Sequence, residues 1–252
     1  MSQTIIEQSN AKQILPKVHP AVIAVWAAVV AAGYLIPTFP ILGTGANFTV
    51  ANALNPLSGI FFGPAGGALC SLIGGFIGFI IAPVKPMLGP VSCVIAMTTA
   101  FTTGCIAWSA ARGNRKFIFF GGIIVYLIGT VLWFTQEIGR NVIQIPLFFY
   151  GLGFVIMTAG IIFAGFFYNS KNKFLLFAAI CLCSFGGLVG GASIGNYFSL
   201  VLFKQPKELW LVILYLAPIE RAIFALASAI VGVSLITGLN KINIFVGPQN
   251  ED

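Results

Sequence analysis

Charge is scarce in this chain, so where it falls carries most of the chemical information. Only Glu220 and Arg221 lie well inside an apolar run, just after Pro218. A charged side chain at the centre of a membrane helix costs roughly 2.5–3.5 kcal/mol on insertion scales, so by default it faces a polar cavity or a polar neighbour. Adjacent positions diverge by about 100° around a helix, so these two cannot pair face to face. Arg221 suits a carboxylate or phosphate, and Glu220 suits an amine. A plainer reading competes: a helix broken at Pro218 would bring both charges to the membrane surface.

The other candidates are amides. Asn47, Asn52 and Asn55 fall in the connection 37–56, PTFPILGTGANFTVANALNP, with Thr38, Thr44 and Thr49; Asn196 stands beside Tyr197. Asparagine both donates and accepts, which suits a heterocyclic ligand. A twenty-residue polar but uncharged connection between tight spans could close as a lid over an intramembrane cavity, against the plainer reading as a solvated connector. A further polar group, Gln136, Glu137, Arg140, Asn141 and Gln144, lies between two spans and is flanked by Trp133 and Tyr150. Glu137 and Arg140 are spaced to share the face of a short helix.

Reaction chemistry has little to work with. The sequence holds no phosphate-loop motif, no HExxH and no paired-cysteine metal motif. With one histidine and no acidic cluster, neither a metal site nor a catalytic constellation is expected, and no cofactor. The five cysteines (Cys70, Cys93, Cys105, Cys181, Cys183) all fall in apolar runs and read as small packing residues. What remains is binding and translocation rather than enzymatic turnover.

The elements that must hold these residues follow from composition. Of 252 residues, 58% are hydrophobic and 8% charged, against about 25% charged in a soluble domain. That excludes a soluble enzyme, a nucleic-acid-binding domain and a disordered chain. The expected fold is an all-α, polytopic membrane bundle of six or seven helices, multi-pass in the cell membrane. It forms one transmembrane domain: a polar segment 1–19, a helical bundle 20–238 and a polar tail 239–252. Spans of about 20 apolar residues read at 20–36, 57–82, 90–110, 117–135, 145–168, 174–202 and 209–238. Ala31-Ala32-Gly33 is loosely like a signal cleavage site, but the long polar lead favours a retained first helix.

Seven spans divide the basic residues evenly. Lys12, Lys17, Lys85, Arg140, Lys204 and Lys207 fall on the starting side; Arg112, Arg115, Lys116, Lys171, Lys173 and Lys241 fall opposite. The positive-inside rule then cannot orient the chain, which points to one re-entrant or split segment. The final segment, interrupted by Pro218, is the best candidate.

Small residues recur every fourth position in three runs: Ala24, Ala28 and Ala32; Gly59, Gly63, Gly67, Ser71 and Gly75; and Gly187, Gly191 and Gly195. That spacing lines one helical face and lets helix backbones approach closely. The glycine runs read as internal packing. The alanine run, on a first helix at the bundle edge, fits a partner subunit as well as an internal neighbour. Trp26 and Trp108 read as packing or lipid-facing residues.

The run Asn55-Pro-Leu-Ser-Gly-Ile-Phe-Phe-Gly-Pro-Ala-Gly-Gly-Ala-Leu69 resembles the second helix of the substrate-binding S components of energy-coupling-factor (ECF) transporters, through Pro56, Gly59, Gly63-Pro64 and Gly66-Gly67. The Ala-xxx-Ala first helix, Gly195-Asn-Tyr-Phe198 and Leu216-Ala-Pro-Ile-Glu-Arg221 are similar to further family features. The resemblance covers 1–115 and 193–252; the family usually has six helices in a shorter chain, and 117–168 looks like an additional helical pair or a divergent centre. It implies capture of a vitamin or similar small nutrient from outside, with the first loop closing over it. It also implies docking through Ala24, Ala28 and Ala32 onto a transmembrane coupling subunit driven by two separate ATPase subunits. The implied pocket candidates are Asn47, Asn52, Asn55, Asn196, Glu220 and Arg221. An autonomous carrier or channel for a small solute is the alternative, expected to show internal repeats with helices broken at corresponding positions. A non-transporting assembly subunit is a third.

Overall fold

The structure, a computed structural model, describes residues 20–41, 46–82, 88–111, 117–164, 172–242, 244 and 246–248. The segment 1–19, Thr44 and the basic residues Lys85, Arg112, Arg115, Lys116 and Lys171 lie outside them. The chain is an all-α bundle; among the described residues 87% are helical, in eight α-helices, six of them long and apolar enough to cross a membrane. In chain order these are α1 (Pro20–Leu35), a hairpin of β1 (Pro37–Pro40) and β2 (Asn47–Thr49), α2 (Ala51–Ile81), α3 (Val91–Ala111), α4 (Phe117–Thr135), the short α5 (Glu137–Asn141), a π-helical turn (Ile145–Tyr150) running into α6 (Gly151–Ala164), α7 (Lys173–Phe203) and α8 (Lys207–Lys241). Helices dominate because in lipid each backbone N–H and C=O must find its partner inside the chain.

The break falls in α2 and not in the last helix. α8 runs from Lys207 to Lys241 with Pro218 inside it, whereas α2 leaves helical geometry at Gly63, at φ 76° and ψ 179°. That conformation is essentially open to glycine alone, and Pro64 follows with no N–H to continue the ladder. The chain doubles back there: a side chain at Gly67 would strike the backbone of Ser58 and Gly59. A straight helix would hold those residues more than two turns apart. The expected span 57–82 is therefore two arms, 51–62 and 64–81, and Gly59 and Gly67 meet across the fold-back rather than sharing one helical face.

The fold-back is closed by hydrogen bonds. Pro64 cannot donate to the carbonyl of Ile60, and Trp108 Nε1 of α3 donates to it instead at 2.9 Å. The Phe61 carbonyl accepts from the Gly247 N–H at 3.1 Å, which ties the chain beyond α8 to the break. Around it the helices touch backbone to backbone. A Cβ at Gly59 would meet the Ala100 carbonyl, and one at Gly104 would meet Pro64. On α7, Gly187 and Gly191 leave room for Thr103 and Thr99 of α3, and Gly195 abuts Ile95. α1 packs on both arms of α2 through buried Ala27, Val30, Ala31, Gly33 and Tyr34, and Trp26 Nε1 donates to Ser58 Oγ at 2.9 Å. Ala24, Ala28 and Ala32 face outward.

α7 begins under a side-chain cap, with Asn172 Oδ1 accepting from the Phe174 N–H at 2.9 Å. It ends at Lys204, whose left-handed backbone (φ 46°) turns the chain into α8. The cysteines are free; Cys70, Cys93, Cys105 and Cys183 are buried and Cys181 is half-buried.

Candidate functional site

At the end of the bundle that carries the hairpin lies a cavity of about 150 Å³. Its walls come from segments distant in sequence: the hairpin, the first turns of α2, the start of α3, the last turns of α7, Gln205 and the first half of α8. Asn47, Asn52, Asn55, Asn196, Glu220 and Arg221, the six residues singled out in the sequence, all line it. Two of them sit differently from expectation. Asn52 and Asn55 belong to the first turns of α2 rather than to a loop, because helix begins at Ala51. Asn55 is buried, and Asn52 Nδ2 donates to the Thr49 carbonyl at 3.1 Å.

The hairpin is pinned across the cavity by aromatic packing. Phe48 and Phe39 are 5.4 Å apart between ring centroids, and both pack on Phe224 of α8, at 5.6 and 4.9 Å. The Arg221 guanidinium lies 5.1 Å from the centroid of the Phe48 ring, within cation–π range. Main-chain bonds hold its stem, with the Val50 N–H donating to the Ile36 carbonyl at 3.0 Å and the Ile41 N–H to the Ala46 carbonyl at 2.8 Å. A short edge of two strands is weak alone, so the three phenylalanines and Arg221 decide where it rests.

The far wall is braced by the middle of the chain. Asn196 Nδ2 donates to the Tyr150 hydroxyl at 3.1 Å. Tyr150 ends the π-helical turn Ile145–Tyr150, and such widened turns recur at functional sites. Trp210 meets Trp133 edge to face at 4.9 Å, and Trp133 Nε1 donates to the Gly139 carbonyl at 2.8 Å. Ser199 Oγ donates to Gln205 Oε1 at 3.1 Å. The described part of 117–168, residues 117–164, outside the stretch covered by the family resemblance, thus supports the wall without supplying its lining.

Sequence reasoning missed Gln205, Trp210, Ser199 and Tyr34, and counted Thr49 only as a polar loop residue. Gln205 is the uncharged polar residue in the short link between α7 and α8, at the same helix ends as Asn196, which is the signal that could have found it. Trp210 carries no such signal, since a tryptophan near a helix end reads as an interfacial anchor. No family model, curated protein or solved structure matches this chain.

Chemically the arrangement binds. A guanidinium, a carboxylate, several amides and an indole surround a floor that includes Leu188, Ala192 and Ile213. This is the composition of a small-molecule site: an apolar container with a few polar groups that fix orientation. The alanine positions Ala24, Ala28 and Ala32 are not part of it, and the glycines pack helices together, with Gly195 alone also touching the cavity.

Proposed function

We propose that the chain is a membrane-embedded capture subunit that holds one small, vitamin-like solute in this cavity and hands it to separate coupling and ATPase subunits. The observation that carries the reading is the convergence of Asn47, Asn52, Asn55, Asn196, Glu220 and Arg221 on one cavity under the hairpin. The hairpin rests on α8 through phenylalanine contacts and a cation–π contact, so it can lift at modest cost, as a lid over a capture site must.

Leu88, the hairpin and Gln205 line one cavity and share one end of the bundle; Lys173 and Lys241 share a groove at the other.

The outward faces of Ala24, Ala28 and Ala32 leave the first helix free to receive a coupling subunit. An autonomous carrier of inverted repeats is disfavoured, because α7, the counterpart of the broken α2 in such a repeat, runs unbroken from Lys173 to Phe203. The test is purification from the native membrane in mild detergent. A membrane coupling protein and two ATPases should accompany the wild-type chain, and Ala28→Leu should lose them while keeping its bound solute. A chain that arrives alone and moves solute in liposomes contradicts the reading.

A further inference from the structure

The cavity lining is unusual in how its polar atoms are left. Buried polar groups in proteins are nearly always hydrogen-bonded, because one left unpaired carries its full desolvation cost. Among the described residues nine buried side-chain atoms lack a partner, and five of them belong to residues that line this one cavity. They are Thr49 Oγ1, Asn55 Oδ1, Gln205 Nε2, Trp210 Nε1 and Arg221 Nε. Thr49, Asn55, Gln205 and Trp210 are exposed by only 3%, 4%, 4% and 1%, so water outside the bundle does not serve them.

The unpaired atoms divide by chemistry and by position. Gln205, Trp210 and Arg221, on the α7–α8 link and α8, offer three N–H donors. The Gln205 amide is oriented by Ser199, which occupies its oxygen and leaves Nε2 free. Tryptophan and arginine side chains can only donate. On the hairpin and α2, Asn55 Oδ1 is an acceptor and Thr49 Oγ1 can accept as well. The Arg221 guanidinium suits a carboxylate; Trp210 stands eleven residues before it on α8, about 16 Å along the helix, so Trp210 and Gln205 serve another part of the solute. Glu220 lines the same cavity, and its charge opposes a second negative charge, so a phosphate dianion fits poorly. The volume sets the scale: about 150 Å³ is the size of an engineered cavity that holds one benzene ring.

Resting on the capture reading above, we propose that the solute is a small monocarboxylate on the scale of a single ring. Its carboxylate is held by Arg221, and a hydrogen-bond donor elsewhere on it meets Asn55 and Thr49. Arg221 is positioned for this by Phe48, so the lid that closes the cavity also orients the group that binds the anion.

The probes are 4-aminobenzoate, which carries both features, its neutral amide 4-aminobenzamide, benzoate, benzylamine and phenyl phosphate. Each is titrated calorimetrically into the full-length protein in detergent, after dialysis to remove carried-over solute. 4-Aminobenzoate should bind at least tenfold more tightly than 4-aminobenzamide and more tightly than benzoate or phenyl phosphate. Arg221→Met should bring acid and amide within about twofold of each other, and Asn55→Leu should erase the advantage of 4-aminobenzoate over benzoate. Tighter binding of the amide, benzylamine or phenyl phosphate overturns the carboxylate assignment and leaves the capture reading standing. If no probe binds and the purified chain releases no small molecule on denaturation, the capture reading falls with it.

Discussion

Two regions of this molecule interrupt helical regularity, and they treat their polar atoms in opposite ways. At the fold-back of α2, Pro64 strips the Ile60 carbonyl of its donor and Trp108 replaces it; Phe61 is served by Gly247. At the cavity, Thr49, Asn55, Gln205, Trp210 and Arg221 each keep an atom unpaired. The same chain can satisfy an orphaned carbonyl deep among helices with an indole 48 residues away. It leaves another indole N–H, that of Trp210, with nothing. The break at the fold-back is closed by the protein itself, and the polar atoms at the cavity are left open, as the proposed ligand site requires.

Substitutions can break or sharpen that contrast. The largest effect belongs to the closely packed backbone at the fold-back. Gly59→Val would drive methyl groups into the Ala100 carbonyl and the Gly104 N–H, backbone that cannot step aside. It should cost about 3 kcal/mol or more and remove the monodisperse peak in size-exclusion chromatography. Gly63→Ala forces a side chain into a glycine-only conformation. A loss of about 1–3 kcal/mol follows, read as a lowered thermal midpoint in detergent.

Trp108→Phe keeps the ring and deletes the N–H, leaving the Ile60 carbonyl unpaired, so about 1–3 kcal/mol should be lost. The same change at Trp210 is the matched control. Trp210→Phe removes an unpaired donor and should leave the solute-free protein as stable as before, or up to about 1 kcal/mol more so, while weakening solute binding. Equal destabilisation by the two substitutions would erase the distinction between the regions.

The sequence made the composition of the site legible but not its geometry. Glu220 and Arg221 stood out because charge inside an apolar run demands a reason, and the asparagines because a long uncharged connection is unusual. Helix lengths were readable within a few residues at most ends, since apolar runs terminate where charge begins. The fold-back was not. Gly59, Gly63, Gly67, Ser71 and Gly75 satisfy the pattern of a straight packing face, and a proline does not mark a break by itself: Pro56 and Pro218 sit in helices that continue past them. What decides is the positive φ at Gly63, a property of the backbone that no spacing encodes. Pro218 drew attention because it neighbours charge, and the break lay elsewhere. Trp210 and Gln205 stayed hidden for a related reason, as their importance comes from bonds they do not make.

The central claim is that the cavity under the hairpin holds one solute in the working protein. Native mass spectrometry of the full chain, released gently from detergent, tests it most directly. The wild type should carry a single small-molecule adduct that is lost on denaturation, and Arg221→Met, folded to the same extent, should fly bare. A wild-type chain without an adduct that also binds none of the small-molecule probes, or an adduct equally retained by Arg221→Met, would contradict the account.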